Sequence, residues 1–177
     1  MNFYRCLICG DPYMGKEKPS NCPFCGAKDT YLVPAAEWVD ENIALGQLSE
    51  VSRRNLEKAL QLEVNNAPFY RDAMQRTKDI ELQGILKYLS KIENEHATVI
   101  KKILNCELPQ PEIRKEVATD SDMENLKAAH EREKTATAFY RQAADEAIEP
   151  RVRRVFTALS EIESDHIHLE GDLLEKK

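Results

Sequence analysis

Glu93-Asn94-Glu95-His96 is the stretch that decides the fold, because a second copy of its pattern occurs as Glu163-Ser164-Asp165-His166. In each copy a glutamate and a histidine stand three residues apart, which places both side chains on one face of a helix. Another glutamate precedes each copy by thirty residues, at Glu63 and at Glu133. Four glutamates and two histidines in this arrangement are typical of a carboxylate-bridged di-metal site inside a four-helix bundle.

These ligand positions fall on the apolar stripes of the predicted helices. In the second helix, Leu89, Glu93, His96 and Ile100 follow one another at steps of three and four residues, which is the spacing of one helix face. A charged group on such a stripe is buried, and an unpaired buried charge is very costly. Cations are therefore expected between these side chains, and oxygen ligands combined with imidazole favour iron or manganese.

Capping residues mark the starts of four helices. The predicted starts are Ser49 or Ser52, Asp79, the capping box Ser121–Glu124, and Pro150. Segment 105–119, between the second and third helices, contains two prolines and can span about 50 Å when extended. Such a long crossover makes these two helices parallel. It predicts a mainly α fold, with a ferritin-like four-helix bundle over residues 50–177.

Four of the five cysteines lie near the start of the chain, as Cys6-x2-Cys9 and Cys22-x2-Cys25. Two such pairs are typical of a tetrahedral four-thiolate metal site. Residues 1–34 are too few for a large core, so a small β module held together by its metal is predicted there, followed by a partly ordered linker over 35–49. The spacing leaves a structural zinc ribbon and a redox iron centre open, and the neighbouring di-metal site favours iron.

Composition limits the function and the location. The formal net charge of −6 over 177 residues argues against a nucleic-acid-binding surface. The chain has no run of eighteen apolar residues and no apolar leader, so we expect a cytoplasmic protein that does not span a membrane. Thiols stay reduced in the cytoplasm, which favours metal binding over disulfides for the paired cysteines.

The cysteine knuckles and the repeated Glu-x-x-His helices together resemble the rubrerythrins over nearly the whole chain. The order, with the rubredoxin-like module first, is similar to that of the reverse rubrerythrins. The resemblance implies a cytoplasmic, non-haem di-iron peroxidase that reduces hydrogen peroxide to water, with electrons entering through a one-iron site. It implies two irons at Glu63, Glu93, His96, Glu133, Glu163 and His166, and one iron (or zinc) at Cys6, Cys9, Cys22 and Cys25.

The resemblance also implies a reducing partner, either a rubredoxin or a NAD(P)H-dependent reductase, and we expect a homodimer or larger assembly. Two other functions fit the same residues: a ferroxidase or iron-handling protein, and a non-catalytic metal-binding or electron-transfer protein. The chain departs from the family at Ala136, where many rubrerythrins carry an extra glutamate. An iron that exchanges ligands between redox states is therefore expected to do so differently here.

Four further polar side chains on the same stripes are candidates for a supporting role. Tyr70 and Tyr140 each stand seven residues after a ligand glutamate, from where each can donate a hydrogen bond to a ligand carboxylate or simply pack in the core. His130 and Glu170 replace apolar residues of the first hairpin. They are predicted to form a pair beside the metals on one side only. Such a pair could supply a proton to a bound peroxide, or His130 could be an additional ligand in place of the glutamate missing at Ala136; the alternative is that the pair is only a satisfied polar contact at the wetter end of the bundle.

Overall fold

A computed structural model describes residues 1–112 and 118–176 and places four long helices behind a small sheet. The helices are α1 (Glu50–Arg76), α2 (Ile80–Leu104), α3 (Asp122–Glu146) and α4 (Pro150–Glu175). The antiparallel sheet has the strand order β2-β1-β3, built from β1 (Asn2–Cys6), β2 (Pro12–Gly15) and β3 (Leu32–Pro34). The mainly α fold and the small β module predicted from the sequence are confirmed.

The helices begin where the capping residues predict. The Ser49 hydroxyl accepts a hydrogen bond from the backbone N–H of Ser52, so Ser49 is the N-cap of α1. Asp79 caps α2 and Ser121 caps α3 in the same way, and Pro150 lies in the first turn of α4. Only half of the capping box on α3 is formed, because the carboxylate of Glu124 accepts from the Thr119 hydroxyl instead of from the backbone of Ser121.

Contacts between helices establish which helices of the bundle run parallel and which run antiparallel. Tyr70 of α1 donates a hydrogen bond to Glu133 of α3, and Tyr140 of α3 donates one to Glu63 of α1. These crossed pairs require α1 and α3 to run antiparallel. Each short hairpin, α1–α2 and α3–α4, is also antiparallel, so α2 and α3 are parallel. The long crossover predicted between them follows from this topology, although its residues 113–117 lie outside the described part of the chain.

The cysteine module packs on the bundle of its own chain. Its buried residues Ile8 and Ala27 belong to one apolar cluster with Ile92 of α2 and Ile162 of α4. The segment over 35–49 contains two 3-10 turns, Ala35–Glu37 and Glu41–Ala44. The linker is thus partly ordered. The apolar cluster described above holds the four-thiolate module against the helices that carry the candidate di-metal ligands. Among the described helices none combines the length and apolarity needed to cross a bilayer.

Candidate metal centres

Two overlapping ligand groups meet inside the bundle. One consists of Glu63, Glu93, His96 and Glu163, and the other of Glu93, Glu133, Glu163 and His166; in each group the ligand atoms lie within 4.8 Å of one another. All six side chains are buried, and His166 is the most exposed at 6%. Because Glu93 and Glu163 belong to both groups, they are the candidate bridging carboxylates. Glu63 with His96, and Glu133 with His166, would each complete one metal position.

The electrostatics of this cluster fit cations. Burial and the neighbouring carboxylates raise the pKa of Glu93 and of Glu133 well above the usual range. Burial alone would lower the pKa of His96, but the carboxylates of Glu63 and Glu163 outweigh it and raise that pKa. The Nδ1 atoms of both histidines face Glu163, at 3.2 Å for His96 and 2.7 Å for His166, and within the described residues none of these buried atoms has a conventional hydrogen bond. Two divalent cations would compensate these charges and use these lone pairs.

His96 is oriented by the cysteine module. Its Nε2 lies 2.9 Å from the carbonyl oxygen of Cys25, and a carbonyl can only accept a hydrogen bond. Nε2 therefore carries a proton, so Nδ1, which lies 3.2 Å from Glu163 Oε1, is the nitrogen that would bind a cation. A partner that fixes the tautomer in this way is typical of metal-bound histidines. Here that partner is the backbone of a residue in the second candidate metal site.

The four cysteines form that second site. Their sulfurs approach in pairs, with 3.7 Å between Cys6 and Cys25 and 3.8 Å between Cys9 and Cys22. No disulfide joins them, and a metal bound tetrahedrally at about 2.3 Å from each sulfur gives sulfur–sulfur distances of about 3.8 Å. The four buried thiols therefore already have the spacing that one tetrahedral metal requires.

Backbone geometry explains the glycine after each cysteine pair. Gly10 and Gly26 have φ angles of +85° and +80°, which side-chain-bearing residues rarely adopt. In this conformation the N–H of Gly10 donates to the carbonyl of Cys6, and the N–H of Gly26 donates to that of Cys22. Gly26 also faces the bundle, where a Cβ atom would come within 3.1 Å of Ile162. This glycine therefore both forms the knuckle and permits its close approach to α4.

The tyrosines lie where the sequence predicts, but their surroundings differ. Within the described residues Tyr140 donates to one carboxylate, Glu63, whereas Tyr70 contacts both Glu133 and Glu170, the latter at 2.7 Å. Glu170 is fully buried, and burial raises its pKa to about 8. One hydroxyl proton cannot serve two carboxylates at once, so the second contact requires a proton on a carboxyl group. Burial raises the pKa of both carboxyl groups, but Glu133 would be ionised as a metal ligand, so the proton is assigned to Glu170.

The structure does not form the predicted contact between His130 and Glu170. Within the described residues, Nδ1 of His130 has no hydrogen-bond partner, and the partly buried ring lies beside the backbone of Gly171. Glu170 uses Tyr70 instead, because the side chain of a residue on α1 reaches between α3 and α4. The placement of Glu170 on the core stripe was visible in the sequence, but the identity of its partner depends on the packing between hairpins.

Sequence reasoning missed Asn66. Its amide donates to Glu93 Oε2 at 3.5 Å and accepts from Arg132 at 3.3 Å. Asn66 stands one helical turn after Glu63, so its spacing was a usable signal. It also lines a cavity of about 350 Å³ together with Ala136 and Arg132. The small side chain at Ala136 therefore lies beside open space next to a residue that contacts a bridging ligand.

Comparison with known proteins gives three results. A family model described as Rubrerythrin matches residues 54–174. Reverse rubrerythrin-1 of Clostridium acetobutylicum is 36% identical over 61 residues, a match that covers 32% of this chain and 33% of that protein. A solved structure, described as a hypothetical protein from Pyrococcus furiosus, aligns with a TM-score of 0.61 at 19% identity over 70% of this chain and 88% of the other, and supports the fold alone.

Proposed function

The chain belongs to the rubrerythrin family of iron-binding proteins, and we propose from this membership and the site that it is a non-haem di-iron peroxidase. It would reduce hydrogen peroxide to two molecules of water, using two electrons and two protons per turnover. Two irons held by the carboxylates and histidines would supply the redox chemistry at the bundle site. An iron in the four-cysteine site would pass on electrons from an external reductant, either a rubredoxin or a NAD(P)H-dependent reductase.

One observation carries this proposal: the hydrogen bond between His96 Nε2 and the carbonyl of Cys25. It joins a ligand of the bundle site directly to a ligand residue of the module, through buried atoms of one chain. A ferroxidase or an iron store has no need for this connection, because ferrous iron itself brings the electrons. The contact therefore favours a reductase that takes its electrons through the module.

Residues of this chain would also orient the carboxylate ligands and supply a proton. The tyrosines hold Glu63 and Glu133 in fixed orientations, and their ring planes help to keep water away from the ligands. Glu170 would hold a proton two hydrogen bonds away from Glu133, on the far side of the Tyr70 hydroxyl. This buried acid is placed to supply one of the two protons that peroxide reduction consumes.

The two sites meet within one chain, so a partner subunit is not needed to bring them together. The homodimer or larger assembly expected from the sequence stays a prediction. Sedimentation of the iron-loaded protein at micromolar concentration tests it separately from the activity.

The experiment that tests the proposed function is a single turnover. Protein loaded with iron at both sites is reduced without air and mixed with one equivalent of hydrogen peroxide, while the absorption of both centres is followed. Rapid oxidation of the bundle irons, followed by oxidation of the one-iron centre, supports the peroxidase. Oxidation confined to the bundle irons supports the iron-handling alternative, and no oxidation supports a non-catalytic protein.

Two glycine variants show whether the docked module carries the electrons. Gly26→Ala pushes the module against Ile162 at 3.1 Å, whereas Gly10→Ala strains the equivalent turn but faces Trp38 at 3.4 Å, away from the bundle. We expect slower oxidation of the one-iron centre in the Gly26 variant than in the Gly10 variant. Equal rates in the two variants would contradict electron transfer through this contact.

A further inference from the structure

Arg151 is a buried cation next to the four-cysteine site. It lies in the first turn of α4 and is only 7% exposed. Its Nε donates to the side-chain oxygen of Asn42 at 3.0 Å, its Nη2 donates to the carbonyl of Ile8 at 2.6 Å, and its Nη1 donates to the carbonyl of Leu7. All three acceptors are neutral. Within residues 1–112 and 118–176, no carboxylate lies at salt-bridge distance from this guanidinium.

The contact with Leu7 leads directly to a metal ligand. The carbonyl of Leu7 and the N–H of Ile8 belong to the same peptide group, and that N–H donates to Cys6 Sγ at 3.3 Å. A charged donor on a carbonyl oxygen polarises the peptide group and strengthens the hydrogen bond made by its N–H. Arg151 therefore acts on the Cys6 sulfur through one peptide unit.

The charges of Arg151 and of the four thiolates also indicate that Arg151 acts on this site. Burial lowers the pKa of Arg151, whereas the negative charges of Glu41 and of the Cys6 thiolate raise it. A guanidinium nevertheless stays protonated in proteins, so a full positive charge remains in this buried place. Four thiolates around one iron carry a net negative charge in both redox states, and that charge grows by one on reduction.

We propose that Arg151 is the counter-ion of the four-cysteine centre and that it raises the reduction potential of an iron bound there. A nearby cation and a strengthened N–H···S hydrogen bond both stabilise the more negative, reduced state. The step is a one-electron reduction of the iron by the external reductant, with no proton transferred. The inference rests on the iron-loaded module of the proposed function, but not on the reaction with peroxide.

The proposal gives Arg151 a second consequence. The same side chain ties the Leu7–Ile8 knuckle to α4, which also carries Glu163 and His166. It thus positions the four-cysteine site on the bundle and also raises the reduction potential at which that site gives up its electron. It is a positioning residue, since it contacts neither iron site directly.

The test is the reduction potential of the one-iron centre, measured spectroelectrochemically in full-length protein with iron in the four-cysteine site. Arg151→Met and Arg151→Gln remove the charge, and Arg151→Lys keeps it. Arg153→Met, two residues further along the same helix, removes an exposed arginine as the matched control. We expect the neutral variants to lower the reduced-to-oxidised ratio at fixed ambient potential about tenfold, which is about 59 mV for one electron. Lysine at position 151 should retain most of the wild-type potential, and the control should not change it.

Two results would overturn the proposal. One is an unchanged potential in both neutral variants, and the other is an equal fall in the lysine variant. If Arg151→Met does not fold, the glutamine and lysine variants still separate charge from packing. Because no peroxide is used, a normal Arg151 effect in a protein without peroxidase activity would count against the proposed function alone.

Discussion

The two helical hairpins carry the same candidate ligands, but the surroundings of these ligands differ. In the first, His96 is hydrogen-bonded to the backbone of Cys25, whereas no hydrogen bond in the described part of the chain joins His166 to the module. In the second, the ligand Glu133 is linked through Tyr70 to a buried acid, Glu170, whereas Tyr140 has a single carboxylate partner. The internal repeat thus gives a symmetric set of candidate ligands. Under the proposed function, the different hydrogen-bond partners would give it an electron side at Cys25 and a proton side at Glu170.

The largest expected effect concerns metal binding by the two glutamates that both metal positions share. Glu93→Ala and Glu163→Ala each remove a carboxylate shared by both metal positions, so each should weaken metal binding by more than about 100-fold. Metal analysis after dialysis should find fewer than two irons per bundle in both variants. Asp165→Ala, an exposed acid next to His166, is the control and should bind metal normally. A variant that kept two irons with an unchanged spectrum would contradict the assignment of its glutamate as a bridge.

The next prediction concerns the proton side and uses the pH dependence of protein stability. Burial raises the pKa of Glu170 from 4.5 to about 8, so the folded protein binds more protons than the unfolded chain between these values. Wild-type stability should therefore fall as the pH rises through this window. Glu170→Gln cannot ionise, and its stability relative to wild type should increase by about 5 kcal/mol from pH 4 to pH 9.

Urea unfolding of the iron-loaded proteins at a series of pH values measures this difference. Asp165→Asn replaces an exposed acid on the same helix and should show almost no trend. A flat difference between Glu170→Gln and wild type would mean that Glu170 is ionised throughout, and the buried proton would have to be assigned elsewhere.

A smaller expected effect is the difference in stability between the Phe variants of the two tyrosines. Tyr70→Phe and Tyr140→Phe each remove one hydrogen bond to a ligand carboxylate. Tyr70→Phe also removes the hydrogen-bond partner of Glu170, and an unsatisfied buried polar group costs about 1–3 kcal/mol. At pH 6 we expect urea unfolding to show a larger loss of stability for Tyr70→Phe by that amount. Equal losses would show that Glu170 finds another partner and that the hairpins are more alike than the contacts indicate.

Sequence patterns predicted the parts of the site that repeat. The six bundle ligands combine a distinctive residue type with helical spacing, and both signals are local. The cysteine pairs and their glycines are local signals too. Capping residues fixed the helix starts for the same reason, since each cap bonds to a backbone group only two or three residues away.

The remaining features depend on contacts between distant segments. Arg151 meets Leu7 across 144 residues, and Tyr70 meets Glu170 across 100. Periodicity placed Glu170 in the core, but several polar residues on other helices were equally plausible partners by height alone. Which of them reaches the carboxylate is set by rotamers and by the packing of one hairpin on the other, which a single sequence does not encode in any short pattern.

The smallest expected effect concerns His130, the partner that the sequence predicts for Glu170. The His130 ring is partly exposed and its Nδ1 has no hydrogen-bond partner, while Glu170 bonds to Tyr70. Two residues without a shared hydrogen bond should act independently, so a double-mutant cycle with His130→Leu and Glu170→Gln should give a coupling energy below about 0.5 kcal/mol. The cycle is measured by urea unfolding at pH 6. A coupling energy above about 1 kcal/mol would show that the histidine moves onto the acid in solution, and the proton side would then extend from Glu133 through Tyr70 and Glu170 to the surface at His130.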